Sequence, residues 1–262
     1  MFSVYLIIGI FAGLMSGLFG IGGGIIVIPA LSAIFLYHGL VPHESIMHMA
    51  VGTSLAVLVI TSLSAMYAHH KHQAVRWDVV INMLPGLCIG ATLGAVVAHL
   101  LPSNGLREIF SVFLIIMGMR LIMQAKQIES SGSLPSKRSM TIVSVLMGIL
   151  ASILGVGGGI IMVPYFLHCG LRMLEATGTS IACGLSIGLV ASLSFMVIGL
   201  LAKTHIPWST GYIYWPAFFG VAAASVFLAP LGALLAHKLP VRLLRRLFGV
   251  FLLVIAIDMM AV

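Results

Sequence analysis

The chain of 262 residues has a mean hydropathy of +1.20, with 61% hydrophobic and only 7% charged residues. Six acids and thirteen bases cannot clothe a soluble domain of this size, and the net charge of +7 is read first as a topology signal rather than a nucleic-acid footprint. Short alternating segments are missing, which excludes a β-barrel, and apolar runs near the roughly 20 residues of a membrane crossing recur throughout, so the fold class is all-α integral membrane.

The first predicted segment, 3–20, has no basic start and leads straight into more apolar sequence, so it reads as membrane rather than as a signal peptide. It carries Gly9, Gly13 and Gly17 at four-residue spacing, a close-packing seam between helices. "GIGGGIIVIP" from Gly20 to Pro29 then breaks the apolar run before a second segment at 22–37. A third, 46–68, contains His48 and "AVGTS" at Ala50–Ser54 and ends at the basic turn "HHKH", read as solvated juxtamembrane residues rather than a metal site. Segment 79–101 holds the seam Gly86, Gly90 and Gly94, and segment 106–124 leads to the polar stretch 126–139.

The sequence then repeats itself. Segments at 140–154, 157–171, 175–201, 212–236 and 243–261 carry "GVGGGIIMVP" from Gly155 to Pro164, "ATGTS" at Ala176–Ser180 and "LGALLAHKLP" at Leu231–Pro240. The last of these matches "LGAVVAHLLP" at Leu93–Pro102. Three matches in one order indicate a duplication, with 1–125 as the first repeat, 126–139 as a cytoplasmic linker and 140–262 as the second repeat.

Charge decides how the short segments around each glycine cluster run. As single broken crossings they divide Lys and Arg seven to six between the faces; as hairpins, spanning or re-entrant, they divide them eleven to two. The hairpin arrangement predicts both termini on the non-cytoplasmic side. With five segments per half it also predicts two inverted-topology repeats, each opened by a Gly-rich helical hairpin, a common plan among secondary transporters.

The glycine clusters are the first candidate site. Backbone at membrane depth is tolerated where it is buried or lines a wet cavity, and the helix after each break starts with N–H groups suited to an anion. Gly20, Gly22, Gly23 and Gly24, with Gly155, Gly157, Gly158 and Gly159, are the candidate substrate-binding residues, backed by Pro29 and Pro164 as structural residues. Thr53 and Ser54, with Thr179 and Ser180, add hydroxyls that either meet substrate or bond back to a helix carbonyl. His48, unmatched in the second half, is a candidate for titration. Asp258 is the one acid within an apolar segment, near its terminus, which argues against a carboxylate proton relay. Cys88, Cys169 and Cys183 are isolated, and no acid–base pair, metal-ligand set or nucleotide loop is present. The expectation is a non-enzyme without metal or cofactor whose partners are a small anion, the bilayer and a coupling ion of unknown identity.

The paired "GLFGIGGGIIVIP" and "ILGVGGGIIMVP" motifs, the GTS copies and the two halves of similar size resemble the TauE/SafE sulfite-exporter-like (TSUP) family across the whole chain. That resemblance implies transport of sulfite or organosulfonates across a prokaryotic cytoplasmic membrane. It falls residue by residue on the eight glycines above and on Pro29 and Pro164. A passive anion channel and a non-transporting scaffold or assembly component are the alternatives.

Overall fold

The structure, a computed structural model, describes residues 1–19, 23–71, 73–123, 132, 135–204, 206–236 and 241–261. Ten α-helices follow one another: α1 (Phe2–Phe19), α2 (Gly24–Tyr37), α3 (Ile46–Lys71), α4 (Trp77–Leu100), α5 (Ser103–Met123), α6 (Lys137–Ile153), α7 (Gly159–His168), α8 (Met173–Leu201), α9 (Trp215–Ala236) and α10 (Val241–Ala261). Each falls on one predicted segment, and the most regular departure is that the helices after the glycine clusters start two residues late. Among the described residues, four stretches are long and apolar enough to cross a membrane: His43–Tyr67, Trp77–Leu100, Met173–Leu201 and Trp215–Gly232. Large apolar side chains such as Ile81, Leu93, Ile116, Leu150, Val197 and Phe227 face outward, as lipid rather than water requires. α3 is the most enclosed of the four and forms the axis of the bundle.

One departure from an all-helical chain matters for the site. Between α8 and α9, Ser209–Thr210 (β1) pairs antiparallel with Ile213–Tyr214 (β2), and Tyr212, Ile213 and Tyr214 are buried. Gly211 turns this hairpin at φ +58.

Helix directions follow from the glycine seams. A Cβ on Gly86 would meet Ser144 and Thr141 of α6, and one on Gly94 would meet Ile149 and Ser152, so α4 and α6 run parallel with backbones nearly touching. Gly9 and Gly13 of α1 are held in the same way against Val221 and Ser225 of α9. Both seams read from sequence are therefore helix contacts, and each joins opposite halves of the chain.

Parallel pairing fixes what happens at the glycine clusters. The first helix of each half runs the way of its partner, α4 or α9. Yet α8 begins beside the start of α4, where the Arg76 N–H donates to Thr179 Oγ1 (3.1 Å), and α3 begins beside the start of α9. The short helices α2 and α7 must therefore carry the chain back. Consistent with reversal, Gly23 lies against Ala12, whereas eleven residues of continued helix would separate them by about 16 Å. Helix contacts also exchange in matched pairs. α1 on α9 corresponds to α6 on α4, α2 on α3 to α7 on α8, and α3 on α9 to α8 on α4, while α3–α8 and α5–α10 map onto themselves.

The second glycine cluster has a definite division of labour. Gly155 (φ +60) ends α6: its N–H donates to the Ser152 carbonyl and the Val156 N–H to the Ala151 carbonyl, the paired bonds of a Schellman cap. Gly158 then precedes α7 and its carbonyl accepts from Ile161 and Met162. In the first cluster Gly23 (φ +71) caps α2, while Gly20 and Gly22 lie outside the described residues.

Candidate functional site

The two clusters touch. A Cβ on Gly24 would fall 2.5 Å from the Gly155 carbonyl oxygen and 3.0 Å from Ser54 Oγ, so only glycine allows α2 to start there. Ser54 clasps the join, its hydroxyl donating to the Gly155 carbonyl at 3.0 Å. Pro29 is buried inside α2 and Pro164 sits inside α7, behind these starts.

Beside the join lies a small, partly open recess with about 10 Å³ of space for the centre of a water-sized sphere, room for about one water molecule. It is lined by Gly157, Gly158 and Gly159, by Ser16 of α1 and Ser62 of α3, and by Ser180 and Gly184 of α8, with Leu58, Ala65 and Ile181 as apolar walls. Among the described residues, no backbone acceptor meets the N–H groups of Gly157, Gly158 and Gly159. They are the unpartnered first donors of α7, carrying its partial positive charge. A Cβ on Gly184 would have Gly158 N at 3.6 Å as its nearest neighbour, so this position opens directly over those donors. Among the described residues, no Lys, Arg, Asp or Glu lines the recess. Backbone donors and hydroxyls of this kind suit a small anion, for which the recess would have to widen beyond the room for one water that it offers here.

The candidate hydroxyls divide into two roles. Ser180 lines the recess and meanwhile donates to the Thr177 carbonyl at 2.8 Å, the back-bonding alternative raised from sequence. Thr53 and Thr179 do not reach the recess. Thr53 Oγ1 accepts the Tyr214 N–H at 3.0 Å and Thr179 Oγ1 accepts the Arg76 N–H, equivalent bonds in the two halves. Each caps the segment that enters the fourth helix of the other half. The preceding glycines serve the same join: a Cβ on Gly52 would lie 2.5 Å from the Tyr212 carbonyl oxygen, and one on Gly178 2.5 Å from that of Ala74. Replacing Thr53 or Thr179 with Val keeps the shape but leaves a buried N–H unmet. Each change should cost about 1–3 kcal/mol, read as an earlier thermal transition in detergent, with no change in the apparent affinity for substrate in protein that remains folded.

His48 is buried at the start of α3. Its Nε2 lies 3.1 Å from the Ala98 carbonyl and 3.2 Å from that of Leu101, and its ring stacks on Tyr212 at 5.2 Å. His99 Nδ1 lies 3.1 Å from the Tyr212 hydroxyl, while its counterpart His237 lies outside the described residues. Sequence reading missed Ser16, Ser62, Gly184 and the hairpin; the first three are small residues in apolar helices with no motif around them.

The interleaved apolar helices, glycine-mediated crossings and a polar recess enclosed among them define a multi-pass helical membrane protein. The chain belongs to the TauE/SafE sulfite exporter family, whose description, "Sulfite exporter TauE/SafE", matches residues 5–259. A "Probable membrane transporter protein" of Haemophilus influenzae is 33% identical over 254 residues, spanning 97% of this chain and 96% of its own length. Similarly named proteins of Methanocaldococcus jannaschii and Bacillus subtilis are 27% and 24% identical, covering 97% and 98% of this chain and 94% and 97% of their own. No solved structure matches this chain.

Proposed function

We propose that this protein is a secondary transporter that moves a small sulfur-containing oxyanion, of the sulfite or organosulfonate type, across the cytoplasmic membrane. The observation that carries the reading is the recess at the start of α7, lined by Ser16, Ser62 and Ser180 together with Gly157–Gly159, whose N–H groups meet no backbone acceptor among the described residues. Binding there rests on helix-terminal dipoles and hydrogen bonds, which suits an oxyanion that must be released each cycle. The family description names sulfite export, and the relatives are named as probable membrane transporters.

The exchangeable helix contacts support two inverted repeats related by a pseudo-twofold axis in the membrane plane. The abutting Gly24 and Gly155 then lie near the midplane, and access alternates by movement of one bundle against the other. The basic residues Arg76 and Arg172 sit at the shared start of α4 and α8, which supports the assignment of that end to the cytoplasm and of both termini to the opposite side.

Reconstitution tests this. Proteoliposomes offered sulfite, thiosulfate, sulfate, methanesulfonate and a carboxylate, with and without sodium and a pH gradient, should show saturable counterflow for at least one sulfur oxyanion. Non-saturating current without exchange would make the protein a channel, and no flux of any anion would make it a scaffold or assembly component.

A further inference from the structure

The end of the bundle opposite Arg76 is closed by groups that the anion site does not use. Along α3, His48 and Thr53 precede Leu58 of the recess, and ten residues of helix place His48 about 15 Å from it. Tyr212 and Tyr214 of the hairpin fill this end: Tyr214 meets Phe35 of α2 edge-on, and Tyr212 meets Phe195 of α8 edge-on. We infer that His48, Tyr212 and His99 form a proton-binding latch that seats the Ser209–Tyr214 hairpin when His48 is neutral and releases it when His48 takes up a proton.

The hydrogen bonds determine the tautomer. Carbonyl oxygens only accept, so the Nε2 facing Ala98 and Leu101 carries a hydrogen. Nδ1 is then an unprotonated lone pair, buried and without a partner. A proton arriving there creates a positive charge inside the bundle. The face of Tyr212 and the carbonyls of Ala98, Leu101 and Glu44 surround the ring, and no carboxylate is hydrogen-bonded to it. From α4 the facing titratable group is His99, 6.4 Å away ring to ring, and from the hairpin it is Tyr212. The preceding turn supplies His43 and Glu44, both exposed. α5 supplies Ser103, which accepts the Met47 N–H, with Arg107 one turn further on. α2 and α8 contribute the phenylalanines already named. The carbonyls and the Tyr212 face offset part of the cost of that charge but supply no counter-charge. The cost that remains favours the hairpin leaving its seat so that water reaches the ring.

The consequence for transport rests on the reading above. Among the described residues no cation lines the recess to offset an anion's charge, so one proton on His48 per monovalent anion makes the movement electroneutral. The prediction is proton-coupled anion movement.

Seating is read independently of transport. In protein whose Cys88, Cys169 and Cys183 are replaced by Ala, Ile213→Cys places a thiol on the buried strand, and Tyr37→Cys places one on an exposed position as reference. The ratio of their labelling rates by a membrane-impermeant maleimide cancels the thiol's own pH dependence. It should rise about tenfold on acidification from about pH 8 to 4, and stay flat when His48→Gln is added. A flat ratio with His48 intact overturns the latch even if His48→Gln does not fold, and so does a rise that survives His48→Gln. Methanesulfonate, whose charge is constant over this range, decides the rest. Its uptake should accelerate under an inward proton gradient. Uptake indifferent to the gradient overturns the coupling, whereas complete absence of uptake of every oxyanion overturns the transport reading and leaves the labelling result to judge the latch.

Discussion

Gly184→Val should abolish oxyanion flux while leaving the bundle folded. The position packs against the start of α7, where an added Cβ meets only ordinary contacts, with Gly158 N at 3.6 Å and Gly157 Cα at 3.9 Å. Within a helix, replacing glycine also favours folding by a few tenths of a kcal/mol. The valine methyls, however, would stand where an anion must approach the N–H groups of Gly157–Gly159. Losing two backbone contacts at about 1–1.5 kcal/mol each weakens binding about a hundredfold. Gly184→Ala should give a smaller defect. Gly158→Val is the companion test, since its Cβ would meet only the flexible end of Met162 at 2.6 Å. The check is counterflow in proteoliposomes beside a thermal melt in detergent; full flux in both valine variants would remove the recess from the mechanism.

The second large effect is expected on stability. Gly52→Ala and Gly178→Ala each drive a methyl to 2.5 Å from a backbone oxygen, on Tyr212 and Ala74 respectively. The intruded groups are backbone held by the adjacent threonine caps, so relief requires the entering segment to lift away from α3 or α8. Each substitution should cost about 3 kcal/mol, seen as a large drop in melting temperature and in the monodisperse fraction extracted from membranes. Equal losses from both are expected, because the two joins are equivalent. A mild effect from either would show that the join is looser than its geometry.

Much of this architecture was legible in sequence because a membrane helix is a long apolar run with charges at its ends. Segment 22–37 became Gly24–Tyr37 and segment 175–201 became Met173–Leu201. The hairpin at Ser209–Tyr214 was not read, because two-residue strands leave no periodicity and the predicted ninth segment began at 212, inside β2's approach. The duplication drew attention to both GTS copies but not to their partners. Those partners are backbone atoms of the opposite half, at Tyr214 and Arg76, and nothing in the local pattern of a helix names a distant N–H. Ser62 and Gly184 were invisible for a simpler reason: small residues in apolar helices mostly serve packing, and only the position of α7 turns these two toward open space.

The parallel seams also carry a consequence for biosynthesis. α1 leaves the ribosome well before α9, yet the surface that Gly9 and Gly13 are shaped to meet belongs to α9. α1 must therefore wait in the bilayer, its groove filled by lipid or by the insertion machinery, while α2 to α8 are synthesised. α4 waits only for α6. Nascent chains arrested before α9 should consequently hold a completed α4–α6 crossing beside an α1 that lacks its principal neighbour, and they should be the species most exposed to membrane proteases. In such a protein the order of translation, and not only the strength of contacts, decides which half assembles first.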